Sequence, residues 1–427
     1  MDTPIRDFIS SYVSSDSVRL HMPGHKGCAD IDFASFDITE VKGTEGLIEK
    51  SEKNASEIFG CPTYYSAEGS SLAIRAMCNI VTGMDGKRLI LASRNCHQTF
   101  ITACALLDID VEWLVDKDSD LISSPISPGF LEEEILKYEP SCVYITSPDY
   151  IGFMSDIRSI ARVCHRHGVL LAVDNAHGAY LKFFSSHPMD LGADICCDSA
   201  HKTLPVLTGG AYLHLTSELD GKTDVKRAMS LFSSTSPSWL ILSSLDNANR
   251  IMADPKFIAD LKKTYDRVGQ LCPDLPKYGN EYLKLTLCPL SKGYSGVELG
   301  DILRQKGIEP EFCDRDFVTL MFSPYNTDED FERLSGALSV LPVKAALPEE
   351  RVRLPRPVKR RSIRSALLGK TEVIPVEKAQ GRICAFSKTS CPPAIPVVLA
   401  GEEILREHIE ALRYYGFDSI EVCCDFE

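Results

Sequence analysis

At 427 residues, with 44% hydrophobic and 25% charged side chains, the chain has the composition of an ordinary globular protein of two or three domains. Its 46 Lys and Arg stand against 60 Asp and Glu, a formal net charge of −14, which argues against nucleic acid or an acidic membrane surface as a partner, because both draw on clustered positive charge. Sixteen cysteines without any Cys-x-x-Cys spacing, no charged-then-apolar leader at "MDTPIRDFISSYV" and no long apolar span point to reduced core thiols in a cytoplasmic protein, with no disulfide framework and no metal.

In chain order, residues 1–40 read as an N-terminal arm, 41–260 as a large domain, 261–342 as a small α/β domain, 343–372 as a linker and 373–427 as a C-terminal domain. Between about 55 and 215, the β-rich runs "RLILAS", "DVEWLV", "CVYIT", "GVLLAVDN", "ADICC" and "AYLHLT" alternate with helical patterns such as "SSLAIRAMCNIV" and "DIRSIARVCHRHG". This alternation predicts an α/β fold, a mostly parallel sheet with helices on both faces, whose ligands gather at the carboxyl ends of the strands. Beyond it, "YLKLTL", "GVELGDILRQKG", "FVTLMFS" and "TDEDFERLSGALSVL" read as strand, helix, strand and helix. The basic run in "LPEERVRLPRPVKRRSIRSA" is interrupted by prolines and reads as a solvated connector rather than a nucleic-acid patch. The last unit, with "VIPVEKAQGRICAF" and "IPVVLAGEEILREHIEALRYYG", is expected to end in an amphipathic helix.

The stretch "DSAHKTLPVLTGG" (198–210) sets Lys202 between two apolar runs, so burial is expected for it. A desolvated amine sheds its proton and becomes a nucleophile, most often toward a carbonyl cofactor or substrate. "VDNAHGAY" ends a strand in Asp174 and puts His177 three residues later; that carboxylate either caps a turn or holds a proton on the ring nitrogen of a pyridine-type cofactor. "EGSSLAIRAM" sets Gly69, Ser70 and Ser71 at a helix start, where N–H groups and hydroxyls serve as a plain N-cap or as an anion cradle. His97 of "RNCHQTF" follows a strand, either as a structural histidine or as a flat ring able to lie against a cofactor. Ser199 adds a phosphate contact and His201 a proton carrier. Cys196 and Cys197, adjacent in a strand, point to opposite faces and read as core residues. An acid for a ring nitrogen, a hydroxyl cradle, a stacking ring and an amine are together the equipment that pyridoxal 5′-phosphate needs.

These residues resemble the Orn/Lys/Arg decarboxylases of the aminotransferase-like fold (fold type I), over nearly the whole chain. The resemblance lies in "HMPGHKG", "RNCH", "SPDYIGFMSDI", "VDNAHGAY", "DSAHKTLPVLTGGAYLH", "STSPSWLILSSLDNA", "VIPVEKAQGRICA" and "IPVVLAGEEI". It implies a large pyridoxal phosphate domain, a smaller α/β domain and a C-terminal decarboxylase-type domain. It further implies decarboxylation of lysine, ornithine or arginine to the amine and carbon dioxide. Lys202 is then the residue that forms the aldimine with the cofactor, Asp174 binds the pyridine nitrogen, His97 stacks on the ring and His201 sits beside the reacting carbon. Ser70, Ser71 and Ser199 hold the phosphate, Gly69 and His177 complete the cofactor site, and Thr235 of "STSPS" joins from a neighbouring subunit of a homodimer or larger homo-oligomer.

The chain departs from the family pattern at Asn175, where an acidic residue is common, and at Gln98, where a lysine is. It also has Glu68 and Ile74 in the cradle, where amide side chains are expected. A carboxylate beside a phosphate is unfavourable, so Glu68 must either point away or weaken cofactor binding. Other pyridoxal phosphate enzymes, an aminotransferase or an aldolase-type lyase, would use the same Lys202, Asp174 and His97. A catalytically silent relative would keep the fold. For the distal cation of a basic substrate, Glu311 and Glu45 are candidate partners.

Overall fold

The computed structural model describes residues 1–427 except 16, 85, 117–122, 272–274, 350–354, 387–395 and 425–427. The chain forms two compact units, Met1–Gly86 with Ile157–Ile258 and Lys87–Asp156 with Ala259–Glu427. No described helix is long and apolar enough to cross a membrane.

Seven strands run through the first half of the chain: β1 Thr63–Ser66, β2 Leu89–Ser93, β3 Asp110–Leu114, β4 Cys142–Thr146, β5 Leu170–Asp174, β6 Ile195–Asp198 and β7 Ala211–Leu215. Six occupy the apolar runs that mark them in the sequence. The exception is β1, whose "TYYS" is too short and too polar to stand out. Parallel pairings outnumber antiparallel ones: β5 with β6, β2 with β3 and β2 with β4 are parallel, whereas β7 runs antiparallel to both β6 and β1. A parallel neighbour needs a long crossover, but an antiparallel one can be reached by a short connection. The return from β6 to β7 therefore takes only the loop 199–210, which carries Ser199, His201 and Lys202.

In the first unit, the strands β1, β7, β6 and β5 lie side by side in that order. The N-terminal arm begins with a helix, Pro4–Ser14, that buries Ile5 and Ile9. Its first-turn N–H groups have no partner within the helix. The Asp246 carboxylate supplies one, accepting from Ile5 N at 3.0 Å and Arg6 N at 2.9 Å. Its other oxygen accepts from Ser51 Oγ at 2.5 Å, so one buried acid pins the start of the chain to the helices Leu47–Phe59 and Trp239–Met252.

In the second unit, β4, β2 and β3 are joined by two further sheets. Strands β8 Lys277–Tyr278, β9 Lys284–Leu287, β10 Phe312–Cys313 and β11 Val318–Met321 form an antiparallel sheet in the order β10-β11-β9-β8. Its core combines Leu285, Leu287 and Val318 with Leu299, Leu303 and Leu334 from the helices Gly296–Gln305 and Asp328–Ser339. The C-terminal sheet has β12 Thr371–Pro375, β13 Cys384–Phe386 and β14 Ser419–Cys423 in the order β12-β14-β13. The expectation that this unit ends in a helix is corrected here. After the amphipathic helix Arg406–Tyr414 the chain turns at Gly416 and returns as the middle strand β14, burying Ile420 and Val422 on one side of an alternating pattern. Within the stretch expected to be a solvated connector, the described helix Ile363–Leu367 buries Ile363 and Ala366.

Replacing Asp246 by Ala is expected to destabilise the protein by about 2 kcal/mol, because two helix N–H groups and a buried hydroxyl lose their acceptor. The loss should appear in chemical denaturation, and the segment 1–14 should become the first site of limited proteolysis.

Candidate functional site

The strand β6 ends in Asp198, whose carboxylate is wholly enclosed. One oxygen accepts from His187 Nε2 at 3.0 Å and His214 Nε2 at 3.1 Å, and the other from the Asn175 amide at 2.7 Å. His187 Nδ1 accepts the Met189 N–H at 3.3 Å, so the proton of this ring sits on Nε2 and points at the acid. Burial by itself would raise the Asp198 pKa, but the imidazoles of His187 and His214 outweigh it and hold the carboxyl below the usual range. Burial in turn lowers the pKa of His214, which favours its neutral form. His187, Cys196 and Asp198 place ligand-type atoms within 4.8 Å of one another. Burial pushes the Cys196 thiol well above its ordinary pKa, however, and the His187 proton is already directed at Asp198. The cluster is thus accounted for by hydrogen bonds.

This network escaped the sequence reading. Its one local signal is the aspartate directly before "SAHK"; its partners lie 11, 16 and 23 residues away on other elements.

Directly after Asp198, Ser199 starts the short helix Ala200–Thr203. Lys202 lies in that helix with its Nζ 3.1 Å from His177 Nε2. Its expected burial is corrected by the structure: the strands on either side are buried, but the helix between them leaves Lys202 exposed in the single chain. Apolar flanks foretold the strands, not the loop joining them. His201 donates from both its backbone N, at 3.1 Å, and its Nδ1, at 3.0 Å, to the carbonyl of Gly210. The ring proton is therefore on Nδ1 and Nε2 carries a lone pair. Burial lowers the His201 pKa and keeps the ring neutral.

The two glycines act as a clasp. Gly209 has φ +99° and its carbonyl accepts the Gly69 N–H at 2.6 Å. A Cβ on Gly210 would come within 2.2 Å of Val206 Cγ1.

The cradle helix is Gly69–Gly83, and no side chain caps its start. Ser199 Oγ donates to Ser70 Oγ at 2.7 Å, and Ser71 is the next residue in the turn. Since the Gly69 N–H is committed to Gly209, that residue contributes a left-handed backbone, φ +72°, rather than a donor for an anion. The carboxylate of Glu68 accepts the Ser234 N–H at 2.7 Å and is thereby tied to the loop that carries Thr235, an exposed residue.

Asp174 closes β5 and is buried; its Oδ1 accepts the Ala176 N–H at 3.1 Å and the Cys197 thiol at 3.5 Å. The unexpected Asn175 has a reason, because its amide donates to Asp198 and an acid there would face a second buried carboxylate. Its side chain also forces glycine at 178, where a Cβ would lie 2.0 Å from Asn175 Oδ1.

The first unit thus brings together Lys202 with His177, Ser199 with Ser70, and His201 with Gly210. His97 belongs to the second unit, as the N-cap of the helix Gln98–Leu107, and its Nδ1 accepts the Thr99 N–H at 3.1 Å. Glu45 accepts the Gly43 N–H at 2.7 Å, two residues away, and Glu311 accepts from the Tyr150 hydroxyl at 2.7 Å, so both carboxylates have hydrogen-bond donors within their own unit. The grouping suits a phosphorylated pyridine aldehyde: uncapped helix N–H groups with two serine hydroxyls for a phosphate, an amine for an aldehyde, and a buried carboxylate for a ring N–H.

A family model described as Orn/Lys/Arg decarboxylase, major domain, matches residues 28–266, and one described as Orn/Lys/Arg decarboxylase, C-terminal domain, matches residues 350–420. The arginine decarboxylase of Bacillus subtilis (strain 168) is 28% identical over 455 residues, which span 96% of this chain and 92% of that protein. The arginine decarboxylase of Halalkalibacterium halodurans is 26% identical, over 96% of this chain and 93% of its own length. The structure of the Francisella novicida lysine decarboxylase LdcF aligns with a TM-score of 0.77 at 18% identity, covering 98% of this chain and 79% of that one. A NifS-like protein aligns with a TM-score of 0.54 at 14% identity, covering 69% of this chain and 88% of that one. At these identities the two structures show a shared fold.

Two substitutions test the geometry. Gly210→Ala should cost about 1–3 kcal/mol through overpacking against Val206, read as a lowered melting temperature. Asn175→Asp should cost roughly 2–3 kcal/mol at neutral pH, because a hydrogen bond to a buried charge becomes a repulsion. Two carboxylates at that distance share a proton, so the new group's folded pKa lies above its unfolded value. The variant should therefore approach wild-type stability in mild acid and lose stability as pH rises, as checked by urea denaturation at several pH values.

Proposed function

The chain belongs to the Orn/Lys/Arg decarboxylase family, and from that premise we propose that it decarboxylates a basic amino acid with pyridoxal 5′-phosphate as cofactor. The observation that carries this reading is the Lys202 amine set 3.1 Å from His177, on loops that follow the buried Asp174 and the Ser70–Ser199 hydroxyl pair. Arginine is the substrate to test first, since relatives spanning nearly the whole chain are named arginine decarboxylases.

When bound, the cofactor supplies a conjugated, electron-withdrawing ring that accepts the electron pair left behind as carbon dioxide departs. The chain's own residues do the rest. Lys202 provides the amine that anchors the cofactor's aldehyde. Asp174, buried at the end of β5, keeps a proton on the ring nitrogen. Ser70, Ser71 and Ser199 bind the phosphate at the uncapped helix start, and Gly69 shapes that start. His177 exchanges a proton with Lys202 across their 3.1 Å contact. His201, neutral and with its Nε2 lone pair fixed by the Gly210 carbonyl, takes up a proton and returns it to the reacting carbon.

The stacking role of His97, the contribution of Thr235 across a homodimer interface and a cytoplasmic setting complete the proposal on family grounds. Glu68 does not oppose phosphate binding in this reading, because its carboxylate is held by Ser234.

The purified protein is expected to absorb in the visible, and borohydride treatment followed by peptide mapping should label Lys202. Turnover assays should release carbon dioxide fastest with arginine among arginine, lysine and ornithine; a keto acid product would instead favour a transaminase. His201→Asn should lower kcat by about 10²-fold or more, the usual worth of a positioned general acid, with the visible spectrum retained.

A further inference from the structure

Within the second unit, the element that carries His97 is held at both ends by the C-terminal region. At its start, the Arg94 guanidinium donates to both oxygens of Glu402, at 2.7 and 2.9 Å, and to the Val397 carbonyl at 3.2 Å. Both side chains of this pair are only 2% exposed, and they stand 308 residues apart in the sequence. Glu402 is in turn locked to the C-terminal backbone: its side chain accepts the Leu399 N–H at 3.0 Å, and its carbonyl accepts from Cys384 N of β13 at 2.8 Å. At the far end of the His97 helix, Arg364 donates to the carbonyls of Ala105 and Leu106, at 2.9 and 3.1 Å. These belong to the last turn, whose carbonyls lack partners within a helix.

A buried ion pair is a poor stability device, since the cost of desolvating two charges offsets most of their attraction. What it does supply is a fixed geometry, and a two-pronged guanidinium–carboxylate contact fixes orientation as well as distance. Between Arg94 and His97 lie only Asn95 and Cys96, both buried, so the packed interior leaves little slack to absorb a shift of Arg94 before it reaches the imidazole. The His97 ring itself is held by Thr99 in the first turn of the same helix.

We infer that Glu402, Arg94 and Arg364 are positioning residues for His97, so that the C-terminal region tunes cofactor affinity by clamping the element that bears this ring. The inference rests on the cofactor contact given to His97 in the proposed function, and the experiment separates the two. Dissociation constants for pyridoxal 5′-phosphate are measured by visible circular dichroism on the full-length chain for Glu402→Gln, Arg364→Gln, His97→Ala and the two doubles with His97→Ala. Thermal unfolding of the cofactor-free proteins is recorded alongside. Each clamp variant should weaken cofactor binding by about tenfold in the wild-type background, and by less than about twofold where His97 is already Ala. Equal factors in both backgrounds would show a general structural effect and overturn the inference while leaving the cofactor role of His97 intact. Unchanged binding in His97→Ala would overturn that role and the clamp with it. Should Glu402→Gln fail to fold, Arg364→Gln, at the partly exposed end of the helix, decides alone.

Discussion

A charged carboxylate enclosed at the end of a central strand has to be satisfied on every side, and meeting that requirement at Asp198 shapes the whole loop system around Lys202. Two imidazoles and one amide converge on it. Each comes from a different stretch, so the connection that follows β5, the turn before β6 and the strand β7 are all registered against one point. The amide donor then dictates the glycine at 178, since no Cβ fits beside the Asn175 side chain. Ser199, the next residue along the chain, starts the turn that presents Lys202. An apolar residue at 198 could complete a strand, but it could not hold these three segments in fixed relation.

The glycine pair performs the corresponding service on the far side of the same loop. Gly209 uses its carbonyl to seat Gly69 at the start of the cradle helix, and Gly210 uses its own to seat His201 twice over. The start of the helix Gly69–Gly83 and the His201 ring are thus both hung from consecutive peptide groups. Backbone carbonyls cannot rotate away as side chains do, which gives this short loop the precision ordinarily found in regular structure.

Much of this was legible in the sequence because it is local. The strands announce themselves as apolar runs, Asp174 as the last letter of one of them, and the serines as a helix start. The features that were not legible depend on distance in space. Nothing near Asp198 signals that His187 and His214 share one of its oxygens. Nothing in "RNCH" signals a glutamate some three hundred residues further on. The exposure of Lys202 ran against its neighbours' hydropathy because it lies in a four-residue helix between the strands, where Ala200 and Thr203 take the buried positions. The closing strand β14 was hidden behind a strongly amphipathic helix, although Ile420 and Val422 carry the alternation that marks it.

Two of the three histidines given roles in the proposal, His201 and His97, show how backbone partners set a ring's tautomer. His201 gives its Nδ1 proton to a carbonyl, which leaves Nε2 as a base; burial then lowers the pKa and keeps that base unprotonated near neutrality. His97 takes a backbone N–H onto Nδ1, so its proton lies on Nε2 and the ring offers a donor edge and a flat face instead. The same side chain is thereby set in opposite tautomers by whether a C=O or an N–H stands beside Nδ1. A ring that must move a proton needs the first arrangement, and a ring that must hold a fixed plane is served by the second. Exchanging those backbone partners would exchange the tautomers without changing either residue, so the proposed role of each ring depends on the peptide geometry of its own turn.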